Sequence, residues 1–111
     1  MASEFKYKLT DKAKSDLDGI VSYISVCLGN PRAAGEFLNK LQDSIEEACL
    51  FPESGSPVHN EFQPYGFIRK KPVGNYLMYY FPDMTAEVIY ILRVIYGRRN
   101  LDEILREMNL S

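Results

Sequence analysis

Six of the seven Lys and Arg side chains in the second half of the chain fall at three places: Arg69-Lys70-Lys71, Arg93, and Arg98-Arg99. Tyr79, Tyr80 and Tyr96 are interleaved with them. Cations that converge on one surface would hold phosphates or carboxylates, the arginines through forked pairs of hydrogen bonds. Phenols beside them could stack on bases or pack against a partner helix. The combination best fits phosphodiester chemistry driven by charge stabilisation, with tyrosine or arginine as acid and base. Each group also has a structural reading. Lysines on an edge strand oppose aggregation. Arg98 and Arg99 can pair with Asp102 and Glu103, and Arg93 can sit in an internal salt bridge.

Other chemistries find little support. The chain has no P-loop, no paired-glycine dinucleotide fingerprint and no cysteine–histidine array, so neither a metal nor a cofactor is expected. His59, the only histidine, lies in a Pro/Gly/Ser-rich loop. Glu46 and Glu47 are adjacent on a helix and do not face each other. Cys27 and Cys49 fall inside helical patterns and read as reduced, small hydrophobes. A net charge of −2 gives no global attraction to nucleic acid, so any anion site must be local. No apolar run approaches the roughly 20 residues that cross a bilayer. A cytoplasmic protein with no membrane partner is expected.

The elements that must position these residues follow from periodicity. Phe5, Tyr7 and Leu9 alternate with Lys6 and Lys8, a short strand. Thr10 is a natural N-cap for a helix with an apolar stripe of Ala13, Leu17, Ile20, Val21, Ile24 and Leu28. Gly29 and Asn30 stop it. Asn30 caps a second helix with Pro31 in its first turn and Ala34, Phe37, Leu38, Leu41, Ile45, Ala48 and Cys49 on one face. Residues 52–65 read as a polar loop. Residues 66–73 are extended, with Pro72 marking an edge. Gly74-Asn75 is a two-residue hairpin signal, 76–81 the next strand, and 82–85 a turn. Residues 86–99 form a long strand apolar on both faces, hence central. Strict alternation puts Ile89, Ile91, Arg93 and Ile95 on one face and Val88, Tyr90, Leu92, Val94 and Tyr96 on the other. Leu101, Ile104, Leu105 and Met108 outline a short C-terminal helix. The whole predicts one α+β domain over 1–111, in the order β-α-α-β-β-β-α. Its small, mostly antiparallel four-stranded sheet carries an αα-hairpin on one face and is partly open on the other.

The chain resembles the RelE/ParE superfamily, the toxins of type II toxin–antitoxin modules, over essentially its full length. The resemblance rests on Leu9-Thr10-Asp11-Lys12-Ala13-Lys14-Ser15-Asp16-Leu17, on Leu28-Gly29-Asn30-Pro31, and on Phe51-Pro52 with Gly55 and Pro57. It continues through Arg69-Lys70-Lys71-Pro72-Val73-Gly74-Asn75-Tyr76 and Leu92-Arg93-Val94-Ile95-Tyr96-Gly97-Arg98-Arg99-Asn100-Leu101. It implies a partner, the cognate antitoxin, and one of two activities. RelE-like members cut messenger RNA on the ribosome without a metal; ParE-like members poison DNA gyrase. It also places Arg69, Lys70, Arg93, Tyr96, Arg98 and Arg99 on the working face.

Three departures lean toward the ParE-like branch. Leu77 follows Tyr76 where RelE has an arginine for the scissile phosphate. No tyrosine follows Tyr96, where RelE has one in its terminal helix. The chain is acidic overall, whereas ribosome-directed members are strongly basic. The expectation is therefore a growth inhibitor acting on gyrase, with Arg69, Lys70, Lys71 and Tyr79 as binding residues. In the alternative, a ribosome-dependent endoribonuclease, Arg93, Tyr96, Arg98 and Arg99 would be catalytic. A third reading is a toxin fold that retains only antitoxin binding.

Overall fold

The computed structural model describes residues 4–58 and 67–97. Strand β1 (Lys6–Leu9) leads into helix α1 (Asp11–Ser22), a π-helical turn (Tyr23–Cys27) and helix α2 (Pro31–Leu50). Strands β2 (Ser56–Pro57), β3 (Arg69–Val73), β4 (Tyr76–Asp83) and β5 (Val88–Tyr96) complete a sheet in the order β1-β5-β4-β3-β2. β1 runs parallel to β5, and every other pair is antiparallel.

Both helices start where short polar side chains take over backbone donors that a helix end leaves unpaired. The Thr10 hydroxyl accepts from the Ala13 N–H and the Asn30 side chain from the Ala33 N–H, each at 3.1 Å. Gly74, at φ 61°, supplies the left-handed residue in the turn between β3 and β4.

The helices cover one face of the sheet. Ala13, Ile20, Phe37, Leu41, Ile45 and Ala48 close over Met78, Tyr80, Ile89, Ile91 and Val94 in a continuous core. The opposite face is less open than its sequence suggests. Val58, Ile68, Tyr79 and Ile95 bury one another there, with Leu77 and Leu92 alongside.

Four further details depart from the sequence reading. The sheet has five strands, not four, because Ser56 and Pro57 pair with Lys70 and Arg69 inside the expected loop. Two residues show no alternation to read. Their pairing is held by Val58, whose N–H donates to the Ile68 carbonyl at 2.8 Å and whose side chain enters the second cluster. The first helix does not keep one phase either. Leu28 donates to the Tyr23 carbonyl, five residues back, and the wider turn rotates Leu28 off the apolar stripe into solvent.

The faces of β5 also change partway. Tyr80 pairs with Ile91 but Tyr79 with Arg93, so Leu92 is an extra residue, a bulge. Beyond it, Val94 joins Ile89 and Ile91 on the helical side while Ile95 joins the second cluster. Finally, the edge expected at 66–73 is partly covered by β2, and among the described residues the strands at the two edges are β1 and β2. The expected C-terminal helix, His59, Arg98 and Arg99 lie outside the described residues.

Candidate functional site

Register brings three of the candidate residues onto one rung. Lys70 pairs with Tyr79, and Tyr79 with Arg93, across β3, β4 and β5. The side chains then part company.

Arg93 is 7% exposed and turns to α1, where Asp16 receives its Nε at 2.8 Å and its Nη2 at 3.1 Å. The same carboxylate accepts the Val94 N–H at 3.1 Å. β1 ends opposite Ile91, so among the described residues the next stretch of β5 has no neighbouring strand there. Thr10 and Asp16 replace it. The Thr10 N–H donates to the Ile91 carbonyl and its hydroxyl donates to the Leu92 carbonyl at 3.0 Å, while also capping α1. The bulge, the cap and the ion pair are one joint fastening α1 to the central strand. This realises the internal salt bridge weighed for Arg93.

A second joint pins the segment after α2. Arg69 Nη1 donates to the carbonyls of Glu53 at 3.1 Å and Gly55 at 2.7 Å. Lys71 is 6% exposed; its ammonium pairs with Glu47 and donates to the Ser54 hydroxyl at 2.8 Å. The buried Tyr80 hydroxyl donates to the Pro52 carbonyl and accepts the Gly55 N–H, both at 2.9 Å. A Cβ on Gly55 would lie 2.7 Å from that hydroxyl and 2.8 Å from the Lys70 carbonyl, so only glycine fits. Burial pushes the Tyr80 phenol above its ordinary range, against the opposing pull of the Gly55 N–H, Ser54 and the Arg69 charge. Tyr79 is raised by burial alone and is 2% exposed. Tyr79 and Lys71, expected on a binding surface, are inside: the first is walled in by Val58, Ile68 and Ile95, the second is drawn inward by Glu47.

What stays accessible is aromatic. Tyr96, 48% exposed, meets Tyr76 edge-on at 5.8 Å, and Tyr76 meets Phe37 at 5.2 Å. Gly19, Ile20, Tyr23, Tyr76, Val94 and Tyr96 line a groove of about 380 Å³ between α1 and the end of β5. Burial, with the Tyr23 and Tyr96 phenols, raises Tyr76 above its ordinary value and keeps it neutral. At the groove's end the Gly97 N–H donates to the Asn75 carbonyl at 3.0 Å, tying the strand end to the hairpin turn. Among the described residues no group of three or more His, Cys, Asp or Glu could hold a metal ion. No described helix is long and apolar enough to cross a membrane.

Asp16 and Ser54 were not among the sequence candidates, and Glu47 was weighed only with Glu46 as a carboxylate pair. Only Asp16 leaves a signal: it falls at the 3–4 spacing between Ala13 and Ile20, an anion on an apolar stripe, matching a cation on an apolar strand.

A helical hairpin laid on one face of a meander, with a parallel N-terminal strand at its side, is the architecture of the RelE/ParE class of small toxins. Residues 7–101 match the model of the ParE toxin of the type II toxin–antitoxin system, parDE, and the chain belongs to that family. It is 31% identical over 86 residues to Toxin ParE1 of Caulobacter vibrioides, covering 78% of this chain and 85% of that protein. Among solved structures it is similar to the chromosomal ParDE toxin–antitoxin system of P. aeruginosa, with TM-score 0.64 and 20% identity over 84% of this chain and 96% of that one. The toxin–antitoxin complex RelBE2 of Mycobacterium tuberculosis gives TM-score 0.61 and 19% identity, over 85% and 99%. At those identities the structural likeness establishes the fold. The chain is a ParE-type toxin of a type II toxin–antitoxin system.

Proposed function

We propose that this toxin inhibits DNA gyrase by binding, and that a cognate antitoxin neutralises it. One observation carries the choice of binding over catalysis. Of the candidate cations that are described, Arg93, Lys71 and Arg69 are each engaged in holding the fold: with Asp16, with Glu47 and Ser54, and with two backbone carbonyls. Phosphate contacts from these groups would require breaking charge-assisted bonds, partly buried at Arg93 and Lys71 and more exposed at Arg69. Lys70, Tyr96 and the aromatic groove are left to face a partner, and tyrosine-rich surfaces are well suited to protein recognition. Gyrase is the target that the ParE-like features of the sequence favour. The solved relatives with antitoxin chains support a partner of that kind here.

Induced expression separates the readings. Gyrase–DNA cleavage complexes and a DNA-damage response, with transcript 5′ ends unchanged, are the expected result. New ribosome-dependent 5′ ends without cleavage complexes would assign the endoribonuclease. Neither response, with the antitoxin still bound, would leave a binding protein without toxicity.

A further inference from the structure

The apolar pattern of β5 does not select its bulge. Straight alternation would set Ile89, Ile91, Arg93 and Ile95 on the helical face, whereas the bulge at Leu92 sends Val94 and Tyr96 there and Ile95 to the second cluster. A slip of one residue exchanges the faces, and a strand apolar on both resists it weakly. Here the exchange trades Val94 for Ile95, both buried and β-branched. Arg93 is the exception, the only charged side chain among the nine residues of β5. In the straight alignment it would stand opposite Met78, which is fully buried beneath the helices, and a guanidinium is costly there.

The backbone groups that meet α1 fit one alignment only. The Ile91 and Leu92 carbonyls, consecutive in the chain, turn to the same edge, where they accept the Thr10 N–H at 3.1 Å and its hydroxyl at 3.0 Å. The Val94 N–H donates to Asp16 at that edge, at 3.1 Å. Straight alternation would present Arg93 there instead and turn Leu92 and Val94 toward β4. Asp16 therefore holds Arg93 and Val94 together only while the bulge persists. Beyond the bulge, the alignment decides where Tyr96 lies: beside Tyr76 in the groove that Tyr23 also lines, or across the sheet from it.

We propose that the Arg93–Asp16 pair is a register lock that positions Tyr96: it holds β5 in its bulged alignment and so turns Tyr96 into the groove that faces the target. The inference rests on the reading of that face as the gyrase-binding one and adds the residues that set it. Paired charges inside a protein add little stability over a well-packed apolar pair, but they can fix an alignment.

The test uses the full chain carrying Asp16→Leu and Arg93→Met together, which leaves no charge in the joint. This variant should fold. Nuclear Overhauser contacts should appear between the Tyr76 ring and Ile95, which the straight alignment sets opposite it, while those between Tyr76 and Tyr96 weaken. Gyrase cleavage complexes should fall about tenfold as the bulged alignment becomes the minor state. Removing Leu92 from the same variant should restore both the Tyr76–Tyr96 contact and inhibition, because alternation through 91, 93 and 94 then returns Tyr96 to the helical side. A folded double variant that keeps the Tyr76–Tyr96 contact would overturn the lock whatever its activity. One that fails to fold would also overturn it, since the pair would then serve stability. Loss of the contact that removal of Leu92 does not restore would rule out a slip as the cause. Displacement of Tyr96 with cleavage complexes undiminished would overturn its positioning for the target, and with it the reading of this face. Absence of cleavage complexes from the unaltered chain would overturn the gyrase reading alone, with the ring contacts still reporting the alignment.

Discussion

Removing the Asp16 carboxylate should cost more than any other single surface-proximal change in this chain. Asp16→Leu strips three acceptor contacts at once: Arg93 Nε at 2.8 Å, Arg93 Nη2 at 3.1 Å and the Val94 N–H at 3.1 Å. The side chains of Arg93 and Asp16 are 9% and 14% exposed, so water cannot readily replace what is lost. Breaking such a pair from one side costs about 3–5 kcal/mol, a large share of the roughly 5–15 kcal/mol that holds a domain together. With a urea m-value of about 1.5–2 kcal/mol/M, the unfolding midpoint should fall by about 2 M at unchanged m. Arg93→Met should also destabilise, since it leaves the carboxylate with the Val94 N–H alone. The double variant, Asp16→Leu with Arg93→Met, removes both charges from the joint and should recover at least about 2 kcal/mol of the summed losses. A midpoint shift worth less than about 1 kcal/mol for Asp16→Leu, or additive losses in the cycle, would refute the reasoning and return Arg93 to the surface chemistry its sequence context suggests.

The second joint should respond in the same units. Tyr80→Phe deletes two buried hydrogen bonds and should cost about 1–3 kcal/mol by urea titration, and Gly55→Ala should destabilise through its clash with the Tyr80 hydroxyl and the Lys70 carbonyl, which a lowered thermal midpoint would show. Raising the pH provides a test without mutation: the Tyr76, Tyr79 and Tyr80 phenols are raised from 10.0 in the folded protein, so their contribution is complete below the unfolded value and lost as pH climbs from about 10 through the folded ones. Unfolding midpoints should be level across the neutral range and fall beyond pH ~10, whereas a level profile past pH ~11 would contradict it. Tyr96→Ala, at a half-exposed position, should abolish gyrase cleavage complexes while leaving the unfolding midpoint within about 1.5 kcal/mol of its original stability. Chelator treatment and Cys27→Ala should each leave growth inhibition unchanged, because the proposed action employs neither a metal nor that exposed thiol.

The residues that cap and turn the chain were legible because their chemistry is local. Thr10, Asn30, Pro31 and Gly74 do what their types and neighbours dictate, and the apolar face of α2 is buried as its spacing requires, apart from the half-exposed Leu38. What escaped is non-local. Alternation assigns the faces of β5 correctly up to Leu92 and fails after it, because a bulge depends on Thr10 and Asp16 arriving from the far end of the chain. Lys71 reads as a solvated edge lysine until α2 supplies Glu47. Tyr79 reads as a surface phenol until Val58 and Ile68 close over it. The candidate site was thus found in sequence as a region, and its residues divided into fasteners and surface only once tertiary partners were known.

The parallel pairing of β1 with β5 has a consequence for how the chain is born. Lys6 meets Val88, Thr10 meets Leu92 across 82 positions, and Asp16 meets Arg93 across 77. As the chain is made from its N-terminus, the helical hairpin can take shape early, yet the strand its apolar stripes must cover is the last of the described elements to be synthesised. Contacts this distant in sequence close slowly, since much of the chain must be ordered before they form. Until β5 is made, the strand that β1 pairs with and that the helices cover is missing. The pairings of β5 with β1 and with β4 that complete the described sheet must therefore wait until β5 has been made.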